Sequence, residues 1–456
     1  MIVESAILLG IAFASIAWIG TIFRIAMNKR LDLVDWFVGA MGAFNGIGYA
    51  FVIWATHAGM NPFWAQRILP YDSYYWIPPA LSLIAAGSVW MGAMLAGGSR
   101  KTSRESADLT PNALARIQRL AWGFLFAGIF CYYLYTKAYG GFFGLLDYSA
   151  LIRSAQFDMI GIDNKWSFLG KLGSLVFFSS FLFYSVLLEG RLKDCSRFIF
   201  LLGSTISVGF SLYVLYSWLA RVQLIMYISV FPLAYIYYKS RNRYSMAPKL
   251  SFIFLIIAIA LPVLSLWMTP GKASTSIIEF YARELSFPTV SILSTIESHS
   301  FRFFFDIVVA PIYVLPSKIW SGLLGVVTAN EINTEMILGY RKGEGGVTGT
   351  IPVDFITFGY MQMGLIGVTI IGIVAGVGLV WLERLLLRIP GRGLHSVLYA
   401  YCVFMIGILT ILYSDPVNII QRNIHFIIGI GVIFALFSWK HIIRRSTKVK
   451  KVIKDE

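Results

Sequence analysis

The chain has 456 residues, of which 57% are apolar and only 13% charged, with a mean hydropathy of +0.72. A soluble domain cannot cover that much apolar surface, so a water-soluble fold is excluded and an all-α polytopic membrane protein is predicted. The net charge of +15 would suit a nucleic-acid binder, but Lys and Arg cluster in alternate short loops, which is a topology signal, and no nucleic-acid partner is expected.

Apolar runs predict about eleven spans, at 4–26, 36–57, 77–97, 119–138, 168–189, 198–219, 222–238, 250–268, 355–383, 395–413 and 422–439. The first is expected to stay in the chain. It lacks a basic leading segment, is long for a signal peptide, and is followed by basic residues rather than a small-residue cleavage site. The loops after the odd-numbered spans, with the tail, hold 25 of the 38 Lys and Arg. That bias places the N-terminus outside and the C-terminus in the cytoplasm. The organisation expected is eight spans in 1–268, a large outer loop in 269–354, three spans in 355–439 and a basic cytoplasmic tail in 440–456. The tail is read as a solvated stop signal that favours anionic lipid. Trp36, Trp54, Trp76, Trp122, Trp218, Trp267 and Trp439 fall near span ends, as an interfacial belt requires.

Three outward stretches stand out. Ala58 to Trp76 is short and aromatic. Tyr139 to Ser167 is longer. Thr269 to Asp354 is long enough to carry function. Within it, Ser274 to Phe287 has helical apolar spacing (Ile277, Ile278, Tyr281, Leu285), with Pro288 expected to end or kink the helix. Phe301 to Val314 is too apolar for water, and Pro311 and Pro316 interrupt the region, so an interfacial or re-entrant helix is predicted. Arg341 to Pro352 is glycine-rich and predicted to be mobile, and it has no phosphate-cradling P-loop pattern.

The cations of the outward half are the candidate binding residues: Arg221, Arg283, Arg302, Arg341, Lys342 and Arg422. A guanidinium at the membrane needs an anion. Its planar fork suits a diphosphate because it makes two parallel charge-assisted bonds and stays ionised. Arg221 follows one apolar run and opens the next with almost no loop, and the nearest carboxylates along the chain are Asp194 and Glu279. Arg221 and Arg422 are therefore read as functional. Snorkelling to lipid phosphate, or pairing, is the expectation for Arg302 and Arg341. Arg283 leans the same way, with Glu279 four residues earlier as its partner and Glu284 expected to point elsewhere.

Carboxylates suited to base catalysis are few. Asp354 opens the ninth span, where it is expected to cap the helix. Glu344 lies in the glycine-rich loop. Asp415 belongs to a tight turn (SDPVN), and His425 has the character of a core histidine. Asp354 and Glu344 are the candidate bases. Three scattered cysteines (Cys131, Cys195, Cys402) indicate no disulfide framework, with Cys195 expected in a loop. The five histidines form no metal-ligand pattern, so neither a metal nor another cofactor is expected.

Four stretches in the second half of the chain resemble the Wzy-type O-antigen polymerases, the oligosaccharide repeat unit polymerases that include the enterobacterial common antigen branch. Ala220–Arg221–Val222 is similar to the family's small-residue–Arg turn. Tyr281–Ala282–Arg283–Glu284 is similar to its aromatic–x–Arg–acid helix. Ile312 to Trp320 (IYVLPSKIW) is similar to its hydrophobic–Pro–aromatic segment. Gly345 to Gly364 (GGVTGTIPVDFITFGYMQMG) is similar to its run into a glycine-broken span, and Arg422 stands where a final outward Arg is expected. The Arg-x10-Gly pattern of some members does not occur.

The resemblance implies an architecture like the membrane-embedded GT-C glycosyltransferases. It implies transfer of a growing glycan from undecaprenyl diphosphate to the non-reducing end of a lipid-linked repeat unit, at the outer face of the bacterial inner membrane. Donor and acceptor are both undecaprenyl-diphosphate-linked oligosaccharides, a chain-length regulator is a candidate protein partner, and no metal or nucleotide sugar is required. Two rivals stand beside it. An O-antigen ligase is expected to carry an outer-loop histidine, for which His299 is the candidate. A flippase is expected to show internal repeats and paired broken helices, which the sequence lacks.

Overall fold

The computed structural model describes residues 2–97, 111–154, 164–190, 194–240, 276–299 and 301–436, with a few isolated positions between them. The basic tail at 440–456, and all but isolated positions of the predicted span at 250–268, lie outside the described residues. Every regular element among the described residues is helical. In chain order the principal ones are α1 (Ile2–Asn28), α2 (Leu33–His57), α3 (Ile77–Leu95), α4 (Pro111–Lys137), α5 (Gly141–Ser154), α6 (Leu169–Glu189) and α7 (Asp194–Ser217). Then come α8 (Arg221–Ser240), α9 (Ile277–Ser298), α10 (Ala329–Leu338), α11 (Phe355–Leu386), α12 (Arg392–Leu412), α13 (Pro416–Arg422) and α14 (Ile424–Leu436). Eight of them are long and apolar enough to cross a membrane, which makes the chain an all-α polytopic membrane protein.

Three expectations change. The predicted seventh span is α8, but its apolar run is short, held between Arg221 and Lys239, and it is not one of the eight. The predicted last span, 422–439, is α14 as far as Leu436, and it forms with the preceding α13 a pair bent by 61° where Asn423 interrupts them. Cys195 falls in the first turn of α7 rather than in a loop.

Small residues set the closest packing. α3 runs against α11 with glycines on both sides. A Cβ on Gly92 would lie 2.1 Å from the Ile373 carbonyl oxygen, and one on Gly376 would lie 2.1 Å from that of Val89. Contact of backbone on backbone is how helices associate where lipid offers no hydrophobic drive. Gly376→Leu is expected to lower the thermal midpoint in detergent and the folded yield, at a cost of at least ~1–3 kcal/mol for overpacking. An unchanged midpoint in a thermal-shift assay would contradict this contact.

One end of the bundle is held by buried ion pairs. Asp32 caps α2 in a reciprocal box with Asp35. Arg24 binds both carboxylates at 2.9 Å, and Arg30 reaches Glu383 near the end of α11 at 2.5 Å.

The opposite end carries the long segment 276–354. α9 continues through Pro288, which is buried inside it, rather than stopping there. The stretch 301–314 is not a long helix but a short turn, Phe305–Val308, followed by a 3-10 turn, Ala310–Val314. It docks on a break in α11 at Met363 and Gly364, where Gly364 has φ +58. The freed carbonyls of Met361 and Gln362 accept from Arg302 and Phe303 N–H, both at 2.8 Å. Phe303, Val308 and Leu323 remain exposed, as an interfacial surface requires.

Candidate functional site

Arg221 is the first residue of α8, reached from α7 across only three residues. Leu219 takes a left-handed conformation (φ +51) that makes so tight a turn possible, and its carbonyl accepts from Arg153 Nη1. The turn therefore delivers two guanidinium groups, from α5 and α8, to one place.

Glu284 on α9 faces them, with Oε1 3.7 Å from Arg221 Nη2 and 3.9 Å from Arg283 Nη2. So Arg221, with no carboxylate close in sequence, gains one in space. Glu284 does not point away from Arg283 as the helical spacing suggested. At these distances Glu284 is a counter-ion rather than a tight hydrogen-bonded partner.

Arg422 ends α13, with its guanidinium 3.9 Å from the centroid of the Tyr413 ring. The Tyr413 ring in turn packs at 5.8 Å from Phe287 of α9. Arg153 is close enough to feel Arg221, Tyr413, Glu284 and Arg422. Its pKa is lowered by burial and then by the charges of Arg221 and Arg422, partly offset by Tyr413 and Glu284. Its side chain nevertheless reaches solvent, so it stands in a recess walled by protein. Lys342 completes the group, its pKa lowered by burial and by Arg153.

Five cations from five parts of the chain (Arg153, Arg221, Arg283, Lys342 and Arg422) thus converge at one end of the bundle. Like charges so placed repel, and an anion offsets that cost. Arginine forks around a recess are suited to bind a diphosphate and to stabilise charge that develops on it.

The other sequence candidates lie differently. Arg302 donates to Asp306 Oδ1 at 2.7 Å and to the Val327 carbonyl at 2.8 Å, bracing the loop that docks on the α11 break. Arg341 donates to Glu335 at 2.8 Å in an exposed pair, and that bond raises its pKa. Glu344 is exposed and accepts from the Arg341 backbone at 3.4 Å, in a stretch the structure shows as hydrogen-bonded turns. Asp354 is buried and caps α11, accepting from Ile356 N at 3.1 Å and from the Thr357 hydroxyl, with Asn45 Nδ2 at 3.4 Å. Burial pushes its pKa up to about 6, against the pull of those bonds.

Sequence reasoning missed Arg153, whose signal was a single Arg closing an otherwise apolar helix (SALIRS). It also set Glu284 aside. His425 is buried between Phe177 and Tyr401, and neither ring nitrogen finds a hydrogen-bond partner among the described residues. No group of three or more His, Cys, Asp or Glu among the described residues could hold a metal ion.

Asp415 positions the arm that carries Arg422. It caps α13, accepting from Val417 N at 2.9 Å and from Asn330 N at 2.8 Å. Burial pushes its pKa up to about 7, above the unfolded value near ~4. The folded protein thus holds this proton more tightly, so the contribution is full below about pH 4 and is lost as pH rises through 7. Thermal stability in detergent is expected to fall between about pH 4 and 7, with the slope flattened in Asp415→Asn. A slope unchanged by that substitution would contradict the assignment.

Compared with protein-family models, with curated proteins and with solved structures, the chain matches none.

Proposed function

We propose that this chain is a membrane-embedded glycosyltransferase of the Wzy type, an oligosaccharide repeat unit polymerase. It moves a growing glycan from undecaprenyl diphosphate to the non-reducing end of a lipid-linked repeat unit, at the outer face of the inner membrane. The observation that carries this reading is the gathering of Arg153, Arg221, Arg283, Lys342 and Arg422 around one recess in an all-helical bundle. The positive-inside bias of the loops supports an outward-facing recess.

The step runs as follows. An acceptor hydroxyl oxygen forms a bond to the anomeric carbon of the donor sugar while the bond to the diphosphate oxygen breaks. The electron pair leaves with the diphosphate, through an oxocarbenium-like state akin to that of glycoside hydrolysis. Arg153, Arg221 and Arg422 stabilise the growing negative charge, and most strongly where it is greatest. The hydroxyl proton passes to Glu284, the carboxylate that faces Arg221 and Arg283. Diphosphate is a competent leaving group, so a weak base such as an ionised glutamate suffices.

Binding of inorganic pyrophosphate to the full chain in nanodiscs tests the recess directly. Calorimetry is expected to show binding to wild type, with affinity reduced at least ~10-fold in Arg153→Ala and in Arg422→Ala, the size expected for one charge-assisted contact. Equal affinity in all three proteins would overturn the reading of the site.

A further inference from the structure

A separate cavity borders the arm that carries Arg422, through Gln421 and Ile424. It is a cavity of about 550 Å³ between the loop entering α6, the turn after Tyr313 and the α13–α14 bend. Lys165, Lys171 and Lys318 line it, and none of its described wall residues is acidic. Its size falls within the range of about 300–1,000 Å³ of small-molecule pockets, and its mostly apolar wall with a few polar groups has their usual character.

Two polar atoms on this wall are unsatisfied. Tyr313 is 1% exposed, and its hydroxyl finds no hydrogen-bond partner among the described residues. Gln421 accepts from Lys171 Nζ through Oε1, but its own amide nitrogen is buried without an acceptor. Buried polar groups are normally paired, so both atoms mark places where this wall is imperfectly packed. Gln421 and Arg422 are consecutive, with Cα atoms about 3.8 Å apart. The cavity and the arginine recess therefore meet at one point of the chain.

The two chambers differ in chemistry. Arginine forks suit a diphosphate. Lysines are compact point charges that suit a single acidic group, and the exposed Phe168 ring offers an apolar face to a sugar. Resting on the reading of the recess as a diphosphate site, we propose that this cavity is a glycan subsite for an acidic sugar, so that the natural repeat unit carries a carboxylate or phosphoryl substituent. The ammonium groups of Lys171 and Lys318 meet the acid.

The test uses the full chain in phosphatidylcholine nanodiscs and two lipid-free tetrasaccharides, one containing a single glucuronate and the other glucose in its place. Wild type is expected to prefer the acidic glycan by ~10-fold or more, as one charge-assisted bond supplies. The pair Lys171→Gln with Lys318→Gln is expected to remove that preference and leave pyrophosphate affinity unchanged. Lys165→Gln, at an exposed position, is expected to reduce it in part and serves if the pair does not fold. No preference in wild type, or a preference that survives the paired substitution, would overturn the proposal. So would wild type that copurifies phosphatidylglycerol through these lysines while showing no glycan preference, since the cavity would then hold a lipid headgroup. Loss of pyrophosphate binding in wild type with the acidic preference intact would instead count against the recess.

Discussion

Arg221→Ala is expected to lower polymer formation by at least ~100-fold, the effect of removing one pre-placed donor from a developing oxyanion. Arg221 sits at the start of α8 with its guanidinium half-buried beside Glu284, so the change deletes a fixed charge rather than a mobile surface one. Arg221→Lys is expected to recover little, because a lysine restores charge but not two parallel bonds. Turnover of purified variants, with thermal midpoints as a folding control, checks both. Normal turnover in Arg221→Lys would assign the residue a simple point-charge role.

Glu284→Gln carries the second large expectation. The substitution keeps size and hydrogen bonding but removes the proton acceptor, so turnover is expected to fall ~100-fold or more, the low end of general base effects. Pyrophosphate affinity should move the other way. Glu284 lies within 3.9 Å of both Arg221 and Arg283, and its negative charge competes with a bound anion. Tighter pyrophosphate binding with slower turnover is the expected pair of results. Slower turnover with weaker binding would mean that Glu284 mainly holds the arginines in place.

Local patterns carried much of the architecture. Long apolar runs read as helices because a backbone in lipid must satisfy its own hydrogen bonds, and eight such runs are helices of spanning length. The tight turn before Arg221 was legible from the shortness of its polar segment. The cap at Asp354 was legible from a carboxylate at a helix start, whereas the break in α11 was expected only through the family resemblance of the run ending at Gly364.

What sequence could not supply was tertiary. Arg153 and Arg221 are 68 positions apart, and only the fold of α5 over the α7–α8 turn brings Arg153 to the Leu219 carbonyl. Glu284 appeared to face away because helical spacing fixes a face, not the flexible reach of a glutamate over its neighbour. Pro288 was expected to end or kink α9; it does not end it but is buried inside the helix, where tertiary packing overrides its intrinsic preference. The bend between α13 and α14 carries no glycine or proline at Asn423 to announce it.

The most direct test of the central claim is reconstitution. Purified wild-type protein is given synthetic undecaprenyl-diphosphate repeat units from the host, and products are resolved by gel and mass spectrometry. The account predicts a ladder of lengths spaced by one repeat unit, with undecaprenyl diphosphate released at each step. Folded protein that binds the substrate yet yields no ladder, or yields product only when lipid A core is supplied as acceptor, would contradict it.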